Sequence, residues 1–247
     1  MDFYCQKNDP LLHEGIFINF MKNLKHHITG ILGGLGPKTT ATFYLDLIKN
    51  ATSTARPSLC IWSLPLDLEK ERRFIEKGTH KTHYLKLLRN GVKALEKAGC
   101  TQVVMPCNTV HEFHAELQSI TSIPFPHLIE IVATELKRRK WRKVLLLATS
   151  RTIRTRLYQD ALKSSKIELV LPSLKDQKKL DQIIQGLLTP LDLSKQQDFL
   201  QNLIKESGTQ KVLLGCTDLQ IVLSPSRDVV DSMQCLVDFT ARKIREI

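Results

Sequence analysis

Short apolar runs alternate with longer helix-patterned stretches from about residue 28 to the C-terminus, and this restricts the chain to an α/β fold built on parallel strands. Residues 28–32 read as a strand ending in the turn Gly33-Gly34-Leu35-Gly36-Pro37, and residues 39–50 follow as a helix. Further strands are expected at 59–64, 103–105, 144–148, 167–171 and 212–214. Helices are expected at 81–98, from 111 to 118, and at 152–162, 180–188, 197–205 and 235–245. Alternation of this kind places helices on both faces of mostly parallel sheets.

Two halves share a layout. Each opens with a strand, a turn of small residues and a Tyr-containing helix, at residues 33–44 and 149–158. Each also has a later strand running into a cysteine turn, Pro106-Cys107-Asn108-Thr109 and Gly215-Cys216-Thr217-Asp218. The expected organisation is an extension over residues 1–20, a first α/β domain from 21–124 with 230–247, and a second from 125–229. The extension either lies outside the main fold or reflects an upstream start. Ligands of open parallel sheets sit beyond the carboxyl ends of the strands, where both cysteines fall.

The net charge of +11 raises the question of nucleic acid. Its densest run, Lys137-Arg138-Arg139-Lys140-Trp141-Arg142-Lys143, follows an apolar-periodic stretch, so cations complementing a helix C-terminus explain it. No zinc spacing or helix-turn-helix signature accompanies it, and no nucleic-acid partner is expected. Six cysteines without a CxxC pair read as reduced thiols of a cytoplasmic protein. No apolar run reaches the roughly 18 residues of a membrane span, and residues 1–20 lack the apolar region of a secretory signal.

The glycine turn is neither GxGxxG nor a P-loop, since no Gly-Lys-Ser/Thr closes it. It is either an anion site made by helix N-terminal N–H groups, suited to a carboxylate, or a tight turn without a ligand. Cys107 and Cys216 each follow an apolar strand and precede a hydroxyl residue or its neighbour. Taken singly, each is more often a small buried hydrophobe than a catalyst. Matching contexts favour chemistry, and a helix N-terminus beside Cys107 predicts a thiol pKa below the free value of about 8.5.

The stretches GILGGLGPKTTATFY (30–44), MPCNTVH (105–111), ATSRTIRTRLYQ (148–159) and LGCTDL (214–219) together resemble signature regions of the aspartate/glutamate racemase family. The resemblance runs in order from about residue 28 to 247. It implies two pseudo-symmetric domains with an amino-acid substrate between them, and catalysis without pyridoxal phosphate, metal or nucleotide. It implies that Cys107 and Cys216 work on opposite faces of Cα, one taking a proton and the other giving one. Substrate contacts are then expected from Gly34, Leu35, Gly36, Asn108, Thr109, Thr149, Thr152 and Thr217, with His111 and Asp218 in support. His111 is either an influence on Cys107 or a plain helix-surface histidine. A homodimer is implied by resemblance alone.

Three departures stand out. Asp218 replaces the glutamate common after the second Cys-Thr, and Leu35 replaces the commoner methionine. No arginine stands in Ser63-Leu64-Pro65-Leu66-Asp67, where a substrate's side-chain carboxylate would be met; Arg72 and Arg73 lie nearby without an assigned place. Aspartate, glutamate and broad specificity all stay open. Hydantoin racemases, maleate isomerases and arylmalonate decarboxylases resemble this fold too. Retention of both cysteines argues against the decarboxylases and leaves a maleate isomerase, or a binding protein that kept the pocket, as alternatives.

Overall fold

The structure, a computed structural model, describes residues 27–51, 56–187 and 193–246; the expected extension over 1–20 lies outside the described residues. Two all-parallel sheets carry the fold. The first has the order β2-β1-β3, with β1 Ile28–Gly33, β2 Ser58–Ser63 and β3 Gln102–Val104. The second has the order β5-β4-β6-β7, with β4 Lys143–Leu147, β5 Glu168–Val170, β6 Val212–Leu214 and β7 Val229–Asp231. In each sheet the opening strand pairs directly with the cysteine-bearing one, β1 with β3 and β4 with β6, so the repeated layout of the sequence becomes a repeated topology.

Alternation along the strands separates the core into layers. Ile31 of β1 and Val144 and Leu146 of β4 join one shared cluster, together with Phe43, Leu128, Val132 and Leu236. That cluster includes residues of helices α1 (Pro37–Ala51), α5 (Leu128–Arg138) and α10 (Ser232–Arg245), which are packed against one another between the sheets. Leu32 faces the other way, into a cluster with Leu88, Val92 and Leu95 of α3 (Lys81–Lys97). Leu145 and Leu147 face outward onto α8 (Leu174–Gly186) and α9 (Leu193–Glu206). The strands are therefore apolar on both faces, as covered parallel sheets require.

Three local outcomes differ from expectation. Residues 68–77 form a helix, α2 (Leu68–Lys77), capped by Asp67, whose side chain accepts from the Lys70 N–H, and closed at Gly78 with φ +72°. After Cys107 the chain enters a 3-10 turn, Thr109–Phe113, before the short α4 (His114–Gln118). The helix expected at 152–162 is broken into α6 (Ser150–Arg154) and α7 (Leu157–Ala161), because Arg156 adopts a left-handed φ of +57° and Thr155 turns its hydroxyl back onto the Arg151 carbonyl. Among the described residues no helix is long and apolar enough to cross a membrane, and the five described cysteines are free.

Candidate active site

The glycine turn packs too closely for side chains. A Cβ on Gly34 (φ +83°) would stand 2.5 Å from the Leu64 nitrogen, and one on Gly36 (φ +99°) 3.1 Å from an Asp218 carboxylate oxygen. The Gly34 N–H donates to the Thr40 hydroxyl at 2.9 Å, which itself donates to the Gly36 carbonyl at 3.1 Å. That amide is consumed by the turn. Leu35 and Gly36 reach a cavity of about 260 Å³, while Gly34 stays behind it. The volume lies just below the roughly 300–1,000 Å³ of sites for drug-sized ligands, which suits a smaller molecule.

Both cysteines line this cavity, Cys107 partly exposed and Cys216 buried. Their turns are joined. The Thr217 hydroxyl donates to the Pro106 carbonyl at 3.1 Å, and the Thr39 hydroxyl of α1 donates to Asp218. Asn108 sits between the halves, its amide donating to Ser232 at 2.9 Å and its carbonyl accepting from the Tyr158 hydroxyl at 2.5 Å. Tyr158 is the tyrosine of the second Tyr-containing helix and of the stretch 148–159, though its partner was not foreseen; Ser232 carries no motif, and sequence reasoning did not find it.

Thr109, Thr149 and Thr152 form a triangle of hydroxyls, with oxygens 3.0, 3.2 and 3.0 Å apart. Thr149 also caps α6, accepting from the Thr152 N–H at 3.2 Å. Thr109 and Thr149 line the cavity; Thr152 is fully buried behind them.

His111 is neither on a helix surface nor in the cavity. Its ring is buried, with Nε2 accepting the Leu128 N–H at 3.1 Å. Nδ1 therefore bears the hydrogen and donates it to the Cys107 carbonyl at 2.7 Å. Burial first, then the neighbouring His127, holds His111 well below the ordinary histidine range. It positions the Cys107 backbone as a neutral ring.

The helix-dipole expectation for the thiol is reversed. Burial pushes Cys107 up to about 12; the Val110 and Thr109 N–H groups oppose this, while Asp218 and Glu71 add to it. The turn that follows is too short to carry a strong dipole, so desolvation prevails. Cys216 is pushed well above the usual thiol range by burial, then by Asp218, against one N–H from Asp218. Asp218 itself rises to about 7 through burial and the nearby Glu71, with Lys38 opposing.

Helix α2 completes the wall. Leu68, Glu71, Arg72 and Ile75 recur at helical spacing on its cavity side, with Phe74 beside them. Tyr84, Val110, Ile184 and Gln185 fill the remaining wall. Of the two arginines noted in the sequence, Arg72 reaches the lining and Arg73 does not. Among the described residues no group of three or more His, Cys, Asp or Glu is arranged to hold a metal ion.

Two similar parallel α/β units that place one cysteine each at a shared cavity define the class. The family model of Asp/Glu/Hydantoin racemase matches residues 32–240, and the chain belongs to that family of isomerases. The broad specificity amino-acid racemase RacX of Bacillus subtilis (strain 168) is 30% identical over 225 residues, covering 85% of this chain and 95% of its own. Among solved structures, an aspartate racemase homologue from Pyrococcus horikoshii OT3 superposes with a TM-score of 0.71 at 27% identity, over 89% of this chain and 99% of that one. The Picrophilus torridus aspartate racemase gives 0.74 at 23% identity, over 90% and 100%, a likeness of fold.

Proposed function

We propose that the chain racemises a free amino acid by two-base proton transfer at Cα, using Cys107 and Cys216 and no added cofactor. The observation that carries this reading is that the two cysteines, from equivalent strand ends of the two sheets, line one cavity. The division into 21–124 with 230–247 and 125–229, and Cα lying between the two halves, belong to the same proposal.

The chemistry follows from the surroundings. One cysteine, as thiolate, takes the α-proton; the other, as thiol, gives its proton to the opposite face, and the reverse reaction restores both. The thiolate of a thiol with a pKa near 12 is a stronger base than an ordinary one, which narrows the gap to a weak carbon acid. A substrate ammonium brings positive charge into a cavity bearing Glu71 and Asp218 and favours ionisation of one thiol. Each threonine hydroxyl of the 109–149–152 triangle has one hydrogen. An entering carboxylate takes one by opening a side of the triangle, and fixed donors there stabilise the charge that develops on deprotonation.

The test is α-proton exchange in D2O by NMR with single L- and D-amino acids, for wild type, Cys107→Ser and Cys216→Ser. Exchange with enantiomer formation in wild type, lost in both variants, is expected. Conversion of maleate to fumarate without amino-acid exchange would replace the racemase with an isomerase; silence on both would leave a binding protein.

A further inference from the structure

On the racemase reading above, we infer that the accepted amino acid has a non-acidic side chain, and that Glu71 is the residue that turns aspartate and glutamate away. A dicarboxylic substrate brings two carboxylates, and a site for it has to supply cationic or donor groups for both. The threonine triangle suits one. For the second, the cavity offers little. Its wall away from the cysteine turns is Leu68, Phe74, Ile75, Tyr84 and Ile184, with Gln185 the neutral polar group among them.

Of the three ionisable acid and base side chains of the wall besides the cysteines and Tyr84, two, Glu71 and Asp218, are of the wrong sign. Both are carboxyl groups raised by burial, and Glu71 in turn lifts Asp218 and Cys107. Asp218 stands beside Cys216, where a substrate ammonium belongs, and is tied to Thr39. Glu71 lies one turn from Ile75 and Leu68 on the apolar stripe of α2, so it meets whatever extends beyond Cα.

Arg72 is the one cation lining the cavity among the described residues, and it is turned outward. Its Nε and a terminal nitrogen reach Glu69 at 3.0 and 2.9 Å, and its side chain is half exposed. The buried arginine nearest the site, Arg151, is also engaged. It gives Nε and a terminal nitrogen to Glu112 at 2.8 and 2.5 Å, behind the lining, where its guanidinium also sits 5.4 Å from the Phe74 ring. Turning Arg151 toward a second carboxylate would break both of its hydrogen bonds to the buried Glu112, which would keep only the 3.4 Å contact to Lys81. A side-chain carboxylate would thus enter a largely apolar wall beside Glu71 with no buried cation released to meet it, and like charges placed together select against the ligand that brings them.

The experiment ranks α-proton exchange rates in D2O for leucine, methionine, lysine, aspartate and glutamate at equal concentration, for wild type, Glu71→Gln and Glu71→Ala. Wild type is expected to exchange at least one of the non-acidic three about tenfold or more faster than either acidic substrate, the least that a like-charge contact implies. Both Glu71 variants are expected to raise glutamate relative to leucine by about tenfold. Fastest exchange on aspartate or glutamate, lost in Cys107→Ser and Cys216→Ser, would keep the racemase and overturn this inference. No exchange on any amino acid would remove the racemase reading and this one with it. The expected wild-type ranking, left unmoved in a variant whose circular dichroism matches wild type, would overturn the role given to Glu71.

Discussion

Thr217 donates its hydroxyl hydrogen to the carbonyl of Pro106 at 3.1 Å, so the residue after Cys216 is fastened to the residue before Cys107. Both partners are buried, and the bond runs between strand ends of the two sheets. Thr217→Val keeps the shape and removes the donor, leaving the carbonyl without it. The expected loss is about 1–3 kcal/mol of stability in urea unfolding, with a fall in exchange rate, and Thr217→Ser is expected to recover most of both. A Val variant as stable and as fast as wild type would show that the two turns hold their places without this bond.

Asn108 is held from two sides, and the Tyr158 hydroxyl is the donor to its carbonyl at 2.5 Å. Tyr158→Phe deletes one oxygen in a fully buried position. It is expected to destabilise by about 1–3 kcal/mol, since the buried Asn108 oxygen loses its hydrogen-bond donor. Chemical denaturation reads this directly, and turnover is expected to fall with it because Asn108 adjoins Cys107. An unchanged midpoint would mean that another donor takes the place.

Stability should depend on pH through Asp218. Its folded pKa is about 7 against 3.8, raised by burial first. Below 3.8 both states are protonated and its contribution to stability is intact. As pH rises toward 7 the unfolded chain ionises while the folded one resists, so stability is lost across that window, at up to about 1.4 kcal/mol per pH unit. His127 acts in the opposite sense: burial lowers it from 6.5 to about 4, so its contribution is present above 6.5 and lost as pH falls. Asp218→Asn removes the first effect alone. The difference in Tm between variant and wild type is expected to move in the variant's favour from pH 4 to pH 7 (both about), and a flat difference would contradict the raised value.

What the sequence made legible divides along physical lines. The strands were readable because a strand covered on both faces must be apolar at every position, as Leu145, Leu146 and Leu147 are. The cysteine turns were readable because their small polar neighbours interrupt those runs. Helix α2 was not: LEKERRFIEK has a single fully buried side chain, Phe74, and its inner stripe carries Glu71 and Arg72, so the wall of the cavity reads as a solvated helix. The strand β7 has only two apolar residues, Val229 and Val230, before Asp231 caps the next helix, so no apolar run marks it. Asn108's partners lie 50 and 124 residues away, at a spacing no local pattern encodes. The direction of the thiol shift also failed to follow from neighbours in sequence, because desolvation by the whole fold outweighs two nearby N–H groups.

Helix α2 brings those wall residues to the cavity from the first half of the chain, yet its far end is held by the second. A terminal nitrogen of Arg154 donates to the carbonyls of Ile75 and Glu76 at 3.0 and 2.5 Å, groups in the last turn of α2 that its own helix leaves partly unsatisfied. Gln185 adds a 3.3 Å contact to the Glu76 carboxylate. Arg154 is exposed and far from a core role, so Arg154→Ala is expected to change global stability by less than about 1 kcal/mol. It should instead loosen the helix that meets the substrate side chain, raising KM about threefold to tenfold with a smaller change in kcat, the effect of a bond worth about 0.5–1.5 kcal/mol net. Arg154→Lys supplies a charge without the planar fork and is expected to recover only part of the loss. Steady-state kinetics on the best substrate of the exchange panel decides it: an unchanged KM in Arg154→Ala would mean that α2 keeps its position over the cavity by its other contacts, the stacking of Phe74 on Tyr84 and Phe113 and the packing against α6 among them.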